Sequence, residues 1–226
     1  MISFNEATHT YDVDGDTTYI SVTTLLKTWF KPFDADKCIR ILKAKPNWNE
    51  SKYVGMSDED IKEKWKKEGE EAAFLGTQMH ANIEMFLNGN SVMDDSPEYA
   101  YFLRFISDAK LTLHKAEWRV CDPSIKLIGT IDCSTLNKDG TIDLYDWKRS
   151  KEINKSFGFS IHPDLSHIPA SKYWQYTLQL NMYKHLAEKN GFKVRRMYIV
   201  CFHPANLSYQ KCHVADLDLE NVLNRK

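Results

Sequence analysis

The chain has 226 residues, 42% hydrophobic and 12% aromatic, enough apolar content for one sizeable core, which excludes disorder as the default. Its formal net charge of −1 excludes coating of duplex DNA by bulk charge, so a nucleic-acid partner has to meet local basic clusters. No run of about 18 apolar residues exists, and residues 1–20 lack a signal-peptide core, so neither a membrane partner nor secretion is expected.

Cys38, Cys121, Cys133, Cys201 and Cys212 are scattered without a CxxC pair, which fits a reducing compartment. The expected location is therefore intracellular: cytoplasm, or an organelle, nucleus or viral factory. Basic residues gather at Lys62, Lys64, Lys66 and Lys67, at Lys148, Arg149, Lys151 and Lys155, and at Lys193, Arg195 and Arg196. The first group alternates with glutamates, as a solvated helix face does.

Residues 2–24 alternate polar and apolar around Asp14-Gly15, with Phe4, His9, Tyr11 and Val13 on one side and Tyr19, Ile20 and Val22 on the other. The pattern predicts an N-terminal hairpin. A short helix opens at Ser21, another spans 35–44, and 45–56 reads as a loop. Ser57 followed by Asp58, Glu59 and Asp60 starts a helix that runs to about Leu87, with possible breaks at Gly69 or Gly76. Ser96-Pro97 starts the next, to about Ala109.

Strands are expected at 111–121, 125–136 and 141–148, then a mobile or substrate-shaping loop at 150–169 and a helix at 171–190. A strand at 194–202, its hairpin partner at 207–214 and a short helix near 216–224 complete an α/β chain with a mixed sheet. The organisation read from this is a single domain over 1–226: hairpin and helices over 1–73, a core over 74–202, and a closing strand and helix over 203–226.

The central stretch runs from Gly129 to Ser150. Asn137-Lys138-Asp139-Gly140 separates two apolar runs, and Asp-Gly there is a hairpin signal because glycine supplies positive φ. Folding at that turn brings Asp132 beside Asp146 and Lys148, and the last two share a face of their strand. Two carboxylates and a lysine on one patch suit hard-cation chemistry on phosphodiesters. A same-face surface ion pair, worth about 0–1 kcal/mol, has the same look.

Other candidates lie outside that stretch. His80 and Glu84 share a helix face, either as an ordinary pair or as an imidazole in a mixed metal shell. Glu117 is an edge glutamate or a strand carboxylate facing the site. Gln175, Gln179 and Tyr183 form a stripe at four-residue spacing, either packing on strands or lining a groove for phosphates and bases.

Taken together, Gly76/His80, Glu117, Gly129/Asp132, Asp146/Lys148 and Gln179/Tyr183 resemble the RecB-type exonuclease branch of the PD-(D/E)XK nuclease superfamily over about residues 74–202. The resemblance extends to small stand-alone exonucleases of mitochondria, phages and large DNA viruses. It implies a restriction-endonuclease-like mixed sheet flanked by helices, with the hairpin and helices as an N-terminal extension.

In activity it implies a Mg²⁺- or Mn²⁺-dependent deoxyribonuclease, an exonuclease on single strands or free ends in replication, repair or recombination. Asp132, Asp146 and Lys148 would be catalytic. The metal would be held by His80, Asp132, Asp146 and the Trp147 carbonyl, with Glu117 and Glu84 in support. Lys148 would position and help deprotonate the attacking water. Gln179, Tyr183 and Gln175 would hold the strand.

Arg149 follows the lysine where relatives often carry a small hydroxyl residue, which leaves Arg149 or Ser150 as the phosphate contact. Downstream of the core only Cys201 and Cys212 remain, so no iron–sulfur cluster is expected. GxxxxGK[ST] is absent, so no nucleotide is expected, and strand opening would fall to a helicase or a replication or recombination partner. A structure- or sequence-specific endonuclease of the same fold and an inactive nucleic-acid-binding module are the competing readings.

Overall fold

The computed structural model describes residues 2–5, 8 and 10–223. The chain divides into two compact units, Met1–Lys31 with Met79–Lys226, and Pro32–Gln78. In the larger unit β1 (Ile2–Asn5) and β2 (Thr10–Val13) form an antiparallel pair. β3 (Ile20–Ser21) leads into α1 (Val22–Thr28), capped by the Ser21 hydroxyl on the Thr24 amide.

The smaller unit holds α2 (Ala35–Lys43) and most of α3 (Asp58–Leu87). Ser57 and Asp60 cap α3 reciprocally: Ser57 Oγ accepts from the Asp60 amide at 3.1 Å, and Asp60 Oδ2 accepts from the Ser57 amide at 3.2 Å. Within this unit Trp65 Nε1 donates to the Tyr53 hydroxyl at 2.8 Å, and Lys62 pairs with Asp36 at 2.6 Å. α3 runs unbroken through Gly69 and Gly76. A helix-interior glycine costs about 1 kcal/mol relative to alanine, too little to interrupt a ladder anchored on both sides.

The last turns of α3 belong to the larger unit. There follow α4 (Pro97–Ala109), β4 (Leu113–Asp122), β5 (Leu127–Leu136), β6 (Ile142–Lys148), β7 (Ser156–Phe159), β8 (Pro169–Ser171), α5 (Lys172–Lys189), β9 (Val194–Cys201), β10 (Gln210–His213) and α6 (Glu220–Leu223). The central sheet runs β10-β9-β6-β5-β3, with β4 on the other edge of β5. β6 lies parallel to β9 and β3 parallel to β5, while the remaining pairs are antiparallel. This is a mixed α/β fold, a central mixed sheet flanked by helices with an N-terminal antiparallel hairpin.

Helices cover both faces, so β6 is buried almost throughout, its charged Asp143 and Asp146 included. Ile142 and Leu144 pack with Val22 and Leu26 of α1 and Leu178 and Met182 of α5. Tyr145 and Trp147 pack with Met79 and Ile83 of α3 and Phe102 and Phe105 of α4. The turn at Asn137–Gly140 forms as expected, with Gly140 at φ 81 and its amide on the Asn137 carbonyl at 3.0 Å.

The N-terminal hairpin turns one loop earlier than the alternation predicts. Asp14-Gly15 makes a tight turn with a single bridge, Val13 to Asp16. Tyr19-Ile20 does not return to β2; the Ile20 amide donates to the Lys126 carbonyl at 2.8 Å and the segment joins the main sheet. Burying Val22 beneath α5 outweighs a hairpin arm whose first residues, Asp16-Thr17-Thr18, have no apolar side chain.

The segment 150–169 is not a bare loop. It carries β7 and a 3-10 turn at Pro163–Leu165, pairs with β8, and is fastened where Ser160 Oγ and the Ile161 amide both donate to the Trp29 carbonyl at 2.8 Å. The expected helix near 216–224 starts only at Glu220, because Asn181 occupies the preceding backbone, accepting from the Leu217 amide and donating to the Ala215 carbonyl. His9 and Asn224, counted in the expected N-terminal strand and C-terminal helix, lie outside the described residues. Among the described residues no helix is long and apolar enough to cross a membrane.

Candidate metal and catalytic site

The ladder between β5 and β6 ends at Cys133 and Tyr145, and the next residue on each strand is an aspartate. Beyond that point β5 pairs with β3 only at Leu127 and Ile128, so Asp132 and Asp146 stand at a fork between strands. Asp132 Oδ2 takes the Trp147 amide at 2.7 Å in place of a ladder carbonyl. That bond fixes one carboxylate against the backbone carrying the other.

Three side chains of a kind that can ligate a metal meet at this fork. His80, Glu117 and Asp132 each offer an atom, all within 4.8 Å of one another. His80 Nδ1 lies 3.7 Å from Asp132 Oδ2 and 3.9 Å from Glu117 Oε1. These separations exceed hydrogen bonds and are close to twice a Mg²⁺–oxygen distance of about 2.1 Å.

The other imidazole nitrogen, Nε2, is 3.0 Å from the Trp147 carbonyl, a contact that makes Nε2 the protonated nitrogen and leaves Nδ1 as the metal-facing one. Two carboxylates and one oriented imidazole suit a hard divalent cation such as Mg²⁺ or Mn²⁺. Glu117 is brought in by its backbone: φ of 43 puts a non-glycine residue in the left-handed region in mid-strand, a conformation costing about 1–3 kcal/mol.

Asp146 stands outside that triad. Its Oδ1 accepts from Gln179 Nε2 at 3.2 Å, and the Lys148 ammonium lies 2.8 Å from Oδ2. Lys148 is thus the close ion-pair partner of the buried Oδ2. Lys148 Nζ also sits 4.7 Å above the Tyr176 ring.

Burial pushes the Asp146 carboxyl up to about 6 against the pull of Lys148, and raises Asp132 against the pull of His80 and Lys148. Burial alone would lower Lys148, but Asp146 and Asp132 hold it well above its usual value, so it is an ammonium at neutral pH.

Compared with the shell expected from the resemblance, His80 and Asp132 come together, Glu117 joins them at first rank, and Asp146 is held by Lys148 and Gln179 instead. The Trp147 carbonyl faces His80 Nε2. Glu84 is exposed, one turn beyond His80 and outside the gathered set.

Gln179 and Tyr183, expected to hold a strand, are buried at 6% and 4% exposure; Gln179 Nε2 bonds Tyr183 Oη at 2.9 Å and Asp146, so they orient the site from behind. Gln175 is half-buried on the same helix. Arg149 is engaged by buried Glu98 at 2.6 Å, and Ser150 Oγ donates to the Glu152 carbonyl. Both make these bonds within their own chain.

Tyr176 and Glu98 were not predicted. Tyr176 stands three residues before Gln179, a spacing that shares its face. Glu98 in the first turn of α4 reads as an ordinary helix-start acid.

His80 gives the metal-free protein a pH signature. Burial opposes its charge, yet Asp132 and Glu117 raise its pKa from 6.5 to about 9. A group with a raised folded pKa stabilises fully below its unfolded value and loses that contribution as pH rises through the folded one. In EDTA the melting temperature is therefore expected to fall by a few degrees between pH 6.5 and 9, and a His80→Gln variant to flatten that fall. Equal slopes for the two proteins would remove His80 as the cause.

No protein-family model matches the chain, and no curated protein matches it. Among solved structures the chain is similar to SSO0001, with 13% identity over 94% of this chain and 74% of that one and a TM-score of 0.39, a likeness too slight to carry an argument.

Proposed function

We propose that the chain is a metal-dependent deoxyribonuclease that hydrolyses phosphodiesters from free ends of single-stranded DNA. The observation that carries this reading is the His80/Glu117/Asp132 triad beside the buried Asp146–Lys148 pair at one fork of the sheet. His80 Nδ1, Glu117 and Asp132 would hold Mg²⁺ or Mn²⁺. Such a cation offsets phosphate charge and acidifies water.

The chain's own groups do the rest. Lys148, charged and braced by Asp146 and Tyr176, offers its ammonium to the attacking water or to a phosphate oxygen. As an ammonium it positions by donating, and it cannot itself take the water's proton while it stays paired with Asp146. Gln179 fixes the rotation of the Asp146 carboxylate, and the Trp147 carbonyl and amide fix His80 and Asp132.

The test is a digestion time course on 5′-labelled and 3′-labelled single strands, a blunt duplex and a closed circle, with Mg²⁺, Mn²⁺ or EDTA. Linear single strands should disappear only with metal, and the circle should survive. A nicked or cut circle would move the assignment to an endonuclease, and loss of no substrate in either metal would overturn the nuclease reading.

A further inference from the structure

Among the described residues β4 is an edge strand that pairs with β5 alone, and an open groove of about 610 Å³ runs along residues 115–119, bordered by Ile2 and Asn88. Glu117 belongs both to the groove wall and to the metal-ligating triad, so the groove opens from the site itself. On either side of Glu117 stand Lys115 and Arg119, both exposed; among the described residues neither has a carboxylate within ion-pair distance. Ala116, Glu117 and Trp118 lie between them on the strand.

Lys115 is pre-positioned. Its Nζ lies 4.5 Å from the Trp118 ring centroid and 5.1 Å from that of Phe192. Trp118 is itself held edge-on by Phe192 at 4.8 Å and by His114 at 5.8 Å. A cation held on a fixed aromatic shelf loses less side-chain freedom when it meets an anion than a free surface lysine does.

We propose that this groove is the track along which a single nucleic-acid strand enters or leaves the site, with Lys115 and Arg119 each meeting a backbone phosphate. The proposal rests on the nuclease reading and adds the strand's path to it. Two spaced cations flanking a metal-binding carboxylate match a chain of regularly spaced negative charges. A single strand is the occupant because the nuclease reading takes single-stranded DNA as its substrate. With a net charge of −1 the chain has no bulk attraction for polyanions, so loss of two local cations should be visible above the background.

Binding of a fluorescein-labelled oligothymidylate is measured in EDTA from 50 to 300 mM salt in a Lys148→Ala background, which leaves the groove intact; the substitution slows digestion and the chelator withholds the metal it needs. For single strands each phosphate contact contributes a slope of about 0.7 in log K against log salt. Adding Lys115→Gln and Arg119→Gln should reduce that slope by about 1.4 and weaken binding roughly 25-fold at 0.1 M salt. Trp118→Leu should weaken binding a few-fold with the slope retained, because the charges remain but Lys115 loses its shelf.

With Lys148 present, the double glutamine variant should raise KM and leave kcat unchanged. An unchanged slope and affinity in a protein that still digests single strands would overturn the groove alone. Tighter binding of a blunt duplex of equal length would overturn the single-strand assignment. A wild-type protein that neither binds nor digests any strand would remove the groove and the nuclease reading together.

Discussion

Lys148→Ala is expected to lower metal-dependent cleavage by about 10²–10³-fold, the effect of deleting one charged donor aimed at developing negative charge. Strand binding should stay within a few-fold of wild type, because the phosphate contacts of the groove are untouched. The substitution also reaches the fold. Asp146 is buried at 1% exposure with Lys148 as its ion-pair partner, and removing one member of such a pair costs up to about 3–5 kcal/mol.

The remaining exposure of Lys148, 17%, places the cost towards the lower end of that range. Replacing both partners, as Asp146→Asn with Lys148→Met, should be less destabilising than either single exchange, since no unpaired charge is left behind. Urea unfolding of the four proteins in a double-mutant cycle separates the two effects. Full cleavage by Lys148→Ala with a lowered melting temperature would mean that the pair is only structural.

Gly129→Ala should destabilise the protein by about 1–3 kcal/mol, the cost of overpacking a filled core. A Cβ at Gly129 would lie 2.5 Å from Tyr183 Cε1 and 3.2 Å from Val22 Cγ2. Neither can yield freely: Tyr183 is buried and bonded to Gln179, and Val22 is buried beneath the same helix. Moving Tyr183 would pull Gln179 off Asp146 Oδ1, so kcat should fall along with stability.

Tyr183→Leu in the same chain removes the ring that the methyl meets. The double variant should recover part of the lost stability, because the ring rather than the backbone refuses the methyl. An unshifted unfolding midpoint and normal kcat for Gly129→Ala would refute the contact. The glycine at this position is required by the approach of the ring.

Much of this architecture was legible in the order of residues. The Asp-Gly turn with apolar runs on both sides specified the β5–β6 hairpin, and hence that Asp132 would face the Asp146–Lys148 strand, because a hairpin's register follows from its turn. Ser57 and Ser96 marked the starts of α3 and α4, and each accepts a backbone amide three residues on; Ser171 does the same for α5, where the sequence was read only as a helix over 171–190. Four-residue spacing placed Gln179 and Tyr183 on one face, and the structure joins them by a hydrogen bond.

What periodicity could not decide was direction and partner. Gln179 and Tyr183 point inward because α5 covers the sheet, and burial turns a stripe that could grip a substrate into one that holds Asp146. Arg149 follows Lys148, yet buried Glu98 from another helix claims it. Glu117 reaches the site through a left-handed φ that its neighbours do not announce.

Local sequence therefore determined the elements, their caps and the hairpin that carries the two aspartates, since these depend on propensity and on bonds within a few residues. Tertiary packing alone decided which carboxylates share one point in space and which are taken up by a cation. Those outcomes depend on desolvation and on side chains from α3, α4 and α5 that meet only when both faces of the sheet are covered.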